Sequence, residues 1–359
     1  MKILILGIDG YIGFPLSLHL KRLGHEVWGL DNFSRRTRAA YSLTPYHNTK
    51  IDYQIDLDRV CPSCLPEIDT IVHLAEQPSA PWSMVNFDQA NKTQMENVSG
   101  TLRVLWMMKE YFPDAHLLKL GTMGEYGTPE IPIPEGFIDL RPCEMAYPDN
   151  CPMEGMMFPR QPGSFYHLSK VFDSMNIDFA CRMWGLRSTD IMQGVVFGLN
   201  DWDNDLTRFD YDQYFGTVIN RFCAQAISGH PLTVYGGGGQ TRGYLPLSDS
   251  IECLTRSIVN PPVKGEYRVF NQYAEILSVN EIAEAVQSVC DLPVQIEHIK
   301  NPRKEKENHT YETSNANLSA LGYEKKWLFK EEIHKLIASI MPFRRDVKQS
   351  VIIPTHSWT

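Results

Sequence analysis

From residue 2 to about residue 198, short apolar runs alternate with amphipathic stretches, a pattern that predicts βαβ units around a parallel sheet. Runs at 3–6, 26–30, 70–74, 116–120 and 188–196 have strand character, while 11–23, 98–111 and 165–184 repeat their apolar positions at helical spacing. Residues 129–163 are rich in Pro, Met and acidic side chains without a period, and predict a long loop of the kind that borders active sites. Beyond residue 198 the pattern is mixed, with helices predicted at 216–227, 250–259 and 279–289 and a glycine run at 236–239. The chain thus divides into a doubly wound α/β unit (1–198), a smaller α/β lobe (199–341) interleaved with it, and a tail (342–359).

Composition narrows the class. With 43% hydrophobic and 21% charged residues, the 359-residue chain is neither disordered nor fibrous and can bury a large core. No apolar run reaches membrane-spanning length, and the first strand begins at once without a signal-like leader, so a cytoplasmic protein with no membrane partner is expected. The net charge of −9 and the lack of a basic patch argue against nucleic acid. Eight scattered cysteines read as reduced thiols rather than a disulfide framework. Cys61 and Cys64 have the spacing of half a zinc site, but no second pair exists, so no metal is predicted.

The first strand runs into Gly7-Ile8-Asp9-Gly10-Tyr11-Ile12-Gly13 and a helix follows. Glycines at such a turn let the backbone approach a pyrophosphate, and the helix N-terminus offers free N–H groups to it. The second strand ends at Asp31, where a carboxylate accepts the adenosine ribose hydroxyls and repels a 2′-phosphate, favouring NAD over NADP. Arg35 and Arg36 read equally as phosphate ligands or as solvated surface charges. The fold expectation is therefore a Rossmann-type nucleotide-binding sheet.

Tyr166 and Lys170 stand four apart on one helix face. An adjacent ammonium lowers a phenol pKa, which suits Tyr166 to take a proton from an alcohol as hydride leaves its carbon. Thr122, just past the run 116–120, falls at the carboxyl edge of the sheet and offers a hydroxyl to the same oxygen, or else a plain turn cap.

Together these residues resemble the extended short-chain dehydrogenase/reductase family, the NAD-dependent epimerases and dehydratases of nucleotide sugars. The stretches 118–128 (LKLGTMGEYGT), 164–170 (SFYHLSK), 193–196, 215–217, 220–222, 230–236, 239–245 (GQTRGYL) and 301–303 resemble its sulfoquinovose-forming branch. The resemblance implies that Thr122, Tyr166 and Lys170 are catalytic. It implies an NAD site of Gly7, Gly10, Tyr11, Ile12, Gly13, Asp31, Asn32, Arg35, Asp56, Leu57, Leu74, Glu76, Asn97 and Gln193, with Tyr166 and Lys170. On the substrate side it implies Thr122, Met123, Glu125, His167, Gln193, Thr217, Asn220, Tyr235 and Gln240, with Arg242 and Arg303 on the diphosphate. The implied chemistry passes through a 4-keto sugar, with UDP-glucose and sulfite as reactants and a homodimer as the working form. Two departures stand out: Pro78 occupies the place of a branch arginine, and Met192 that of an asparagine. Epimerisation or dehydration without sulfite addition, and a catalytically silent NAD-binding regulator, are the alternatives.

Overall fold

A computed structural model describes residues 1–35, 53–138, 156–199, 208–303, 312–324 and 328–353, with 355 and 357. Its centre is a seven-stranded sheet in the spatial order Tyr267–Gln272, Arg187–Gln193, His116–Thr122, Thr70–His73, Lys2–Leu6, Glu26–Asp31, Tyr53–Gln54, with every neighbouring pair parallel. The chain starts in the middle, runs outward one way, and returns to Thr70–His73 on the other side of its first strand. That reversal leaves a crevice at the carboxyl ends of those two strands.

Both faces of the sheet are covered, which is why its strands are nearly continuously apolar. Leu4 and Leu6 point to one side, where Leu105 and Met108 of the helix Gly100–Tyr111 and Ile177 and Ala180 of Phe165–Trp184 pack. Ile3 and Ile5 point to the other, against Leu16 and Leu20 of Gly13–Arg22 and Ile251, Leu254 and Ile258 of Leu247–Val259. Each such leucine, isoleucine or methionine side chain, fully buried, contributes about 1.5–3 kcal/mol. A separate core joins the helices Val218–Ser228, Val279–Val289 and Phe329–Ile340 through Phe222, Ile282, Ile333 and Ile337.

Three features differ from the sequence expectation. The strand predicted at 188–196 is split: Arg187–Gln193 belongs to the large sheet, whereas Val195–Phe197 pairs with Thr241–Pro246 in a three-stranded sheet. Gly194 makes the crossing, since a Cβ there would lie 2.5 Å from the Gly243 carbonyl oxygen. The strand Tyr267–Gln272, which local patterning does not single out, returns from the second lobe to close the edge of the large sheet. Of the predicted loop 129–163, the described part forms a short antiparallel pair, Phe137–Ile138 with Met156–Met157, and residues 139–155 lie outside the described residues. The tail docks: Ile352 is buried, the Gln213 N–H donates to the Val351 oxygen (2.9 Å), and the Lys348 N–H donates to the Tyr211 hydroxyl (3.0 Å). Among the described residues no helix is long and apolar enough to cross a membrane.

His116 opens the strand His116–Thr122 with its Nε2 paired to Thr189 Oγ1 (2.9 Å), and burial, aided by Arg268 and Arg187, lowers its pKa from 6.5 to about 3. Between those values the unfolded chain binds a proton that the folded chain refuses, so stability falls as pH falls. Moving from pH 7.5 to pH 5 should therefore cost the wild type about 2 kcal/mol more than His116→Gln. Urea midpoints at the two pH values measure the difference, and equal losses would show that His116 takes up no extra proton on unfolding.

Candidate active site

The crevice is a cleft of about 1020 Å³ that reaches from the glycine turn to the second lobe. Gly7 leaves the first strand at φ +83°, and a Cβ on it would stand 2.6 Å from the Leu74 carbonyl carbon. A Cβ on Gly13 would meet the Gly7 oxygen at 2.3 Å. Only glycine fits either position. The Gly10 N–H closes the turn on the Gly7 oxygen (3.0 Å), and the helix Gly13–Arg22 begins without a side-chain cap or an acid in its first turn. Such a terminus suits a pyrophosphate. Asp31, at the end of its strand, accepts the N–H groups of Asp9 (3.0 Å) and Phe33 (2.7 Å), while burial raises its pKa. Asn32 donates to Asp56 (2.6 Å), and Asp56, Leu57, Leu74, Tyr11 and Ile12 complete this wall. The donor set and the close-packed glycines fit NAD. Arg35 also lines the cleft, pairs with Asp210 (2.8 Å) and lies over the Phe215 ring (3.5 Å). Arg36 lies outside the described residues.

The Ser164 hydroxyl accepts the His167 N–H (3.2 Å) and thereby starts the helix Phe165–Trp184 one residue before Tyr166. The Tyr166 N–H is fixed by the Ser83 hydroxyl (3.1 Å). Thr122 lines the cleft and also caps a single turn, Met123–Glu125, accepting the Gly124 N–H (3.1 Å). His167 packs on that turn so closely that a Cβ on Gly124 would be 2.3 Å from its Nε2. Burial lowers the His167 pKa to about 3, helped by Arg303 and Arg242, and the ring is neutral.

Lys170 departs from the simplest sequence expectation. Its ammonium donates to Glu76 and to the Leu120 oxygen (2.8 Å) and stands 5.8 Å from the centre of the Tyr166 ring. Burial raises the Tyr166 pKa above its ordinary value, with Lys119 the largest opposing charge, while burial lowers the Lys170 pKa to about 8. Desolvation thus outweighs the ammonium that sequence spacing puts beside the phenol.

Behind these two residues lies a buried set of charges. Lys119, fully enclosed, meets Glu76 (3.1 Å) and Asp173 (3.3 Å). Glu125, expected at the substrate, faces inward instead: it accepts the Thr122 N–H (3.2 Å), Arg160 (2.6 Å) and the Ser174 hydroxyl (3.0 Å), and burial raises its pKa to about 7. Asn97, expected at the cofactor, is also off the cleft; its amide grips both backbone groups of Gln77 (2.7 and 3.1 Å) and the Ser169 hydroxyl (2.9 Å). These two side chains hold the cleft-lining residues in place. Neither forms the lining.

The second lobe supplies the opposite wall. Thr217, Asn220, Tyr235, Gln240, Arg242 and Arg303 line it, and Met123 and Gln193 of the first unit line the cleft as well. Gln193 is anchored through Ser250 (2.8 Å) and Gln272 (2.6 Å). Thr217 Oγ1 and Gln240 Oε1 are buried without protein partners, which suits polar groups of a ligand. Arg221, which sequence reading missed, stacks over Tyr235 (4.3 Å) and donates to the Thr233 oxygen (3.1 Å). A charged residue in the largely apolar stretch Val218–Ser228 was the available signal. Arg208 and Asp210 were missed as well; they join Arg35 in a strap across the cleft, and Ser79 is hydrogen-bonded to the Tyr214 oxygen in the same strap. Among the described residues no three His, Cys, Asp or Glu side chains gather to hold a metal.

Residues 3–271 match the NAD dependent epimerase/dehydratase family. The chain is 40% identical to the UDP-sulfoquinovose synthase of Sulfolobus acidocaldarius, over all of this chain and 98% of that one. It is also 40% identical to the chloroplastic UDP-sulfoquinovose synthase of Spinacia oleracea, over 99% of this chain and 79% of that one. Among solved structures, a Thermotoga maritima UDP-glucose 4-epimerase with UDP-glucose superposes with a TM-score of 0.75 at 19% identity, covering 97% of this chain and all of that one. That likeness bears on the fold.

The buried charges give a stability prediction. Lys119→Met strips Glu76 and Asp173 of a partner and should destabilise by about 3–5 kcal/mol, whereas Lys119→Met with Asp173→Leu should recover part of that loss. Urea unfolding of the set checks it, and strictly additive losses would mean that the two charges are not coupled.

Proposed function

The chain belongs to the NAD dependent epimerase/dehydratase family, and from that premise we propose that it is a UDP-sulfoquinovose synthase or a close derivative, converting UDP-glucose and sulfite through a 4-keto sugar. The observation that carries this reading is the full-length 40% identity to two such synthases, in a chain whose Thr122, Tyr166 and Lys170 meet at one cleft.

In this reading Tyr166 takes the proton of the sugar 4-hydroxyl, and the Thr122 hydroxyl holds the same oxygen. NAD, when bound, would supply the hydride acceptor and, in its reduced form, the hydride donor. Lys170, cationic below about pH 8, gives the forming phenolate a counter-charge once it moves from Glu76. The 4-ketone acidifies the C5 proton, water leaves from C6, and sulfite adds to the resulting enone. Arg221, Arg242 and Arg303 suit the diphosphate, to which guanidinium groups donate in pairs. Neutral His167, propped on Gly124, faces the sugar as a hydrogen-bonding group rather than a charge.

Pro78 favours a second reading. It lines the cleft where the sulfoquinovose-forming branch is expected to carry an arginine, so one positive charge that would attract sulfite is missing. A 4-epimerase or dehydratase that never adds sulfur would tolerate that loss. Product mass separates the readings: a gained sulfonate supports the synthase, loss of water a dehydratase, and unchanged mass an epimerase. Tyr166→Phe should keep NAD binding and lose about 10²–10⁴ in turnover. Unchanged turnover would remove Tyr166 from the chemistry.

The same proposal includes a cytoplasmic homodimer. Supporting the dimer, the helices Gly100–Tyr111 and Phe165–Trp184 lie side by side and expose Leu102, Trp106, Phe172, Met175, Phe179 and Met183, a large apolar area for a lone subunit. Phe179→Glu should shift sedimentation from dimer to monomer, whereas an unshifted species would place the contact elsewhere.

A further inference from the structure

Cys61 and Cys64 stand apart from the other cysteines and from the cleft chemistry. Cys181, Cys223 and Cys253 are buried, and burial raises their thiol pKa values, Cys181 to about 12; such thiols are inert. Cys290 is half-buried. Cys61 and Cys64 are, among the described residues, the exposed cysteines.

Their geometry is fixed by a one-turn 3₁₀ helix, Pro62–Cys64, with Cys61 as its N-cap. Side chains three apart eclipse in such a turn, and Pro62 at its first position restricts the backbone that sets the spacing. The Cys64 N–H donates to the Cys61 oxygen (3.0 Å), which closes the turn. The Cys64 thiol donates to Cys61 Sγ at 2.9 Å, and Ser63 Oγ lies 3.3 Å from the same sulfur. A rotation of roughly 1 Å at the sulfurs suffices for a bond of about 2.05 Å. The turn follows Leu57–Arg59, whose first residue lines the cleft rim beside Asp56.

We propose that Cys61 and Cys64 form a reversible dithiol–disulfide site on the exposed turn that follows Leu57–Arg59, whose exchange partner is a small-molecule disulfide. Cys61 is the attacking sulfur: the hydrogen bonds from Cys64 and Ser63 favour its thiolate and lower its pKa, whereas the same contact raises that of Cys64. The Cys61 thiolate attacks one sulfur of the small disulfide, a mixed disulfide forms, and one small thiolate leaves. Cys64, having given its proton to solvent, then attacks Cys61 Sγ, and the second small thiolate leaves. In net, two protein thiols are oxidised to one disulfide and one small disulfide is reduced to two thiols. No step involves the sugar chemistry, so this site stands or falls independently of the proposed function.

The test treats the full chain with oxidised glutathione, blocks remaining thiols with an alkylating maleimide, and maps tryptic peptides by mass. Residues 60–92 form one tryptic peptide that contains Cys61 and Cys64 and no other cysteine, so Cys143 and Cys151 do not confuse the result. The expected wild-type peptide is unalkylated and lighter by two hydrogen atoms, and reduced glutathione in excess restores two alkylatable thiols. Cys64→Ser should stop at a persistent glutathione adduct on Cys61, and Cys61→Ser should capture glutathione roughly tenfold more slowly. A persistent adduct on the wild-type peptide, a bond from either cysteine to another peptide, or two thiols left free at every glutathione ratio would overturn the proposal.

Discussion

Glu76 lies between two ammonium groups, those of Lys119 and Lys170, with its side chain almost wholly buried at the wall of the cleft. Lys119 is shared in turn with Asp173, whose helix also carries Tyr166 and Lys170. Isolated, each of these charges would be very unfavourable at such depth; arranged with alternating sign they hold one another. The arrangement ties together three pieces of chain that are far apart in sequence: the loop after Thr70–His73, the strand His116–Thr122, and the helix Phe165–Trp184. Those three pieces are the ones that carry Glu76, Thr122 and Tyr166 to the cleft.

Around that cluster the site is built in layers. Thr122 and Met123 face the cleft because Glu125, one turn on, is drawn inward by Arg160 and Ser174. Pro78 and Ser79 face it because Asn97 clamps Gln77 from behind. Polar residues that look like ligands in a linear motif can therefore serve as the frame that aims their neighbours. The junction with the second lobe follows the same logic, with Gln193 locked by Ser250 and Gln272 at the point where the chain leaves the large sheet through Gly194. The strap through Asp210 and Phe215 is fastened on one side to Arg35 and on the other to the tail near Val351 and Thr355. Tail, second lobe and large sheet are thus joined through these contacts around the cleft.

Much of this was legible in the chain alone, where short-range chemistry decides. The apolar runs gave the inner strands, because a parallel sheet covered on both faces needs continuous hydrophobicity. The glycine turn and Asp31 were readable because only glycine tolerates the 2.6 Å approach of Gly7 to Leu74, and because a carboxylate must end the second strand if it is to meet a ribose. The spacing of Tyr166 and Lys170 placed them on one helix face, and the Ser164 cap fixed where that helix starts. Tertiary structure alone decided the rest, since it depends on what stands opposite. Tyr267–Gln272 becomes a sheet strand only by pairing with Arg187–Gln193, about eighty residues earlier. The inward turn of Glu125 and Asn97, the pairing of Lys170 with Glu76, and the recruitment of Arg221 all follow from partners that no local window contains, because desolvation and Coulomb energy depend on distance in space.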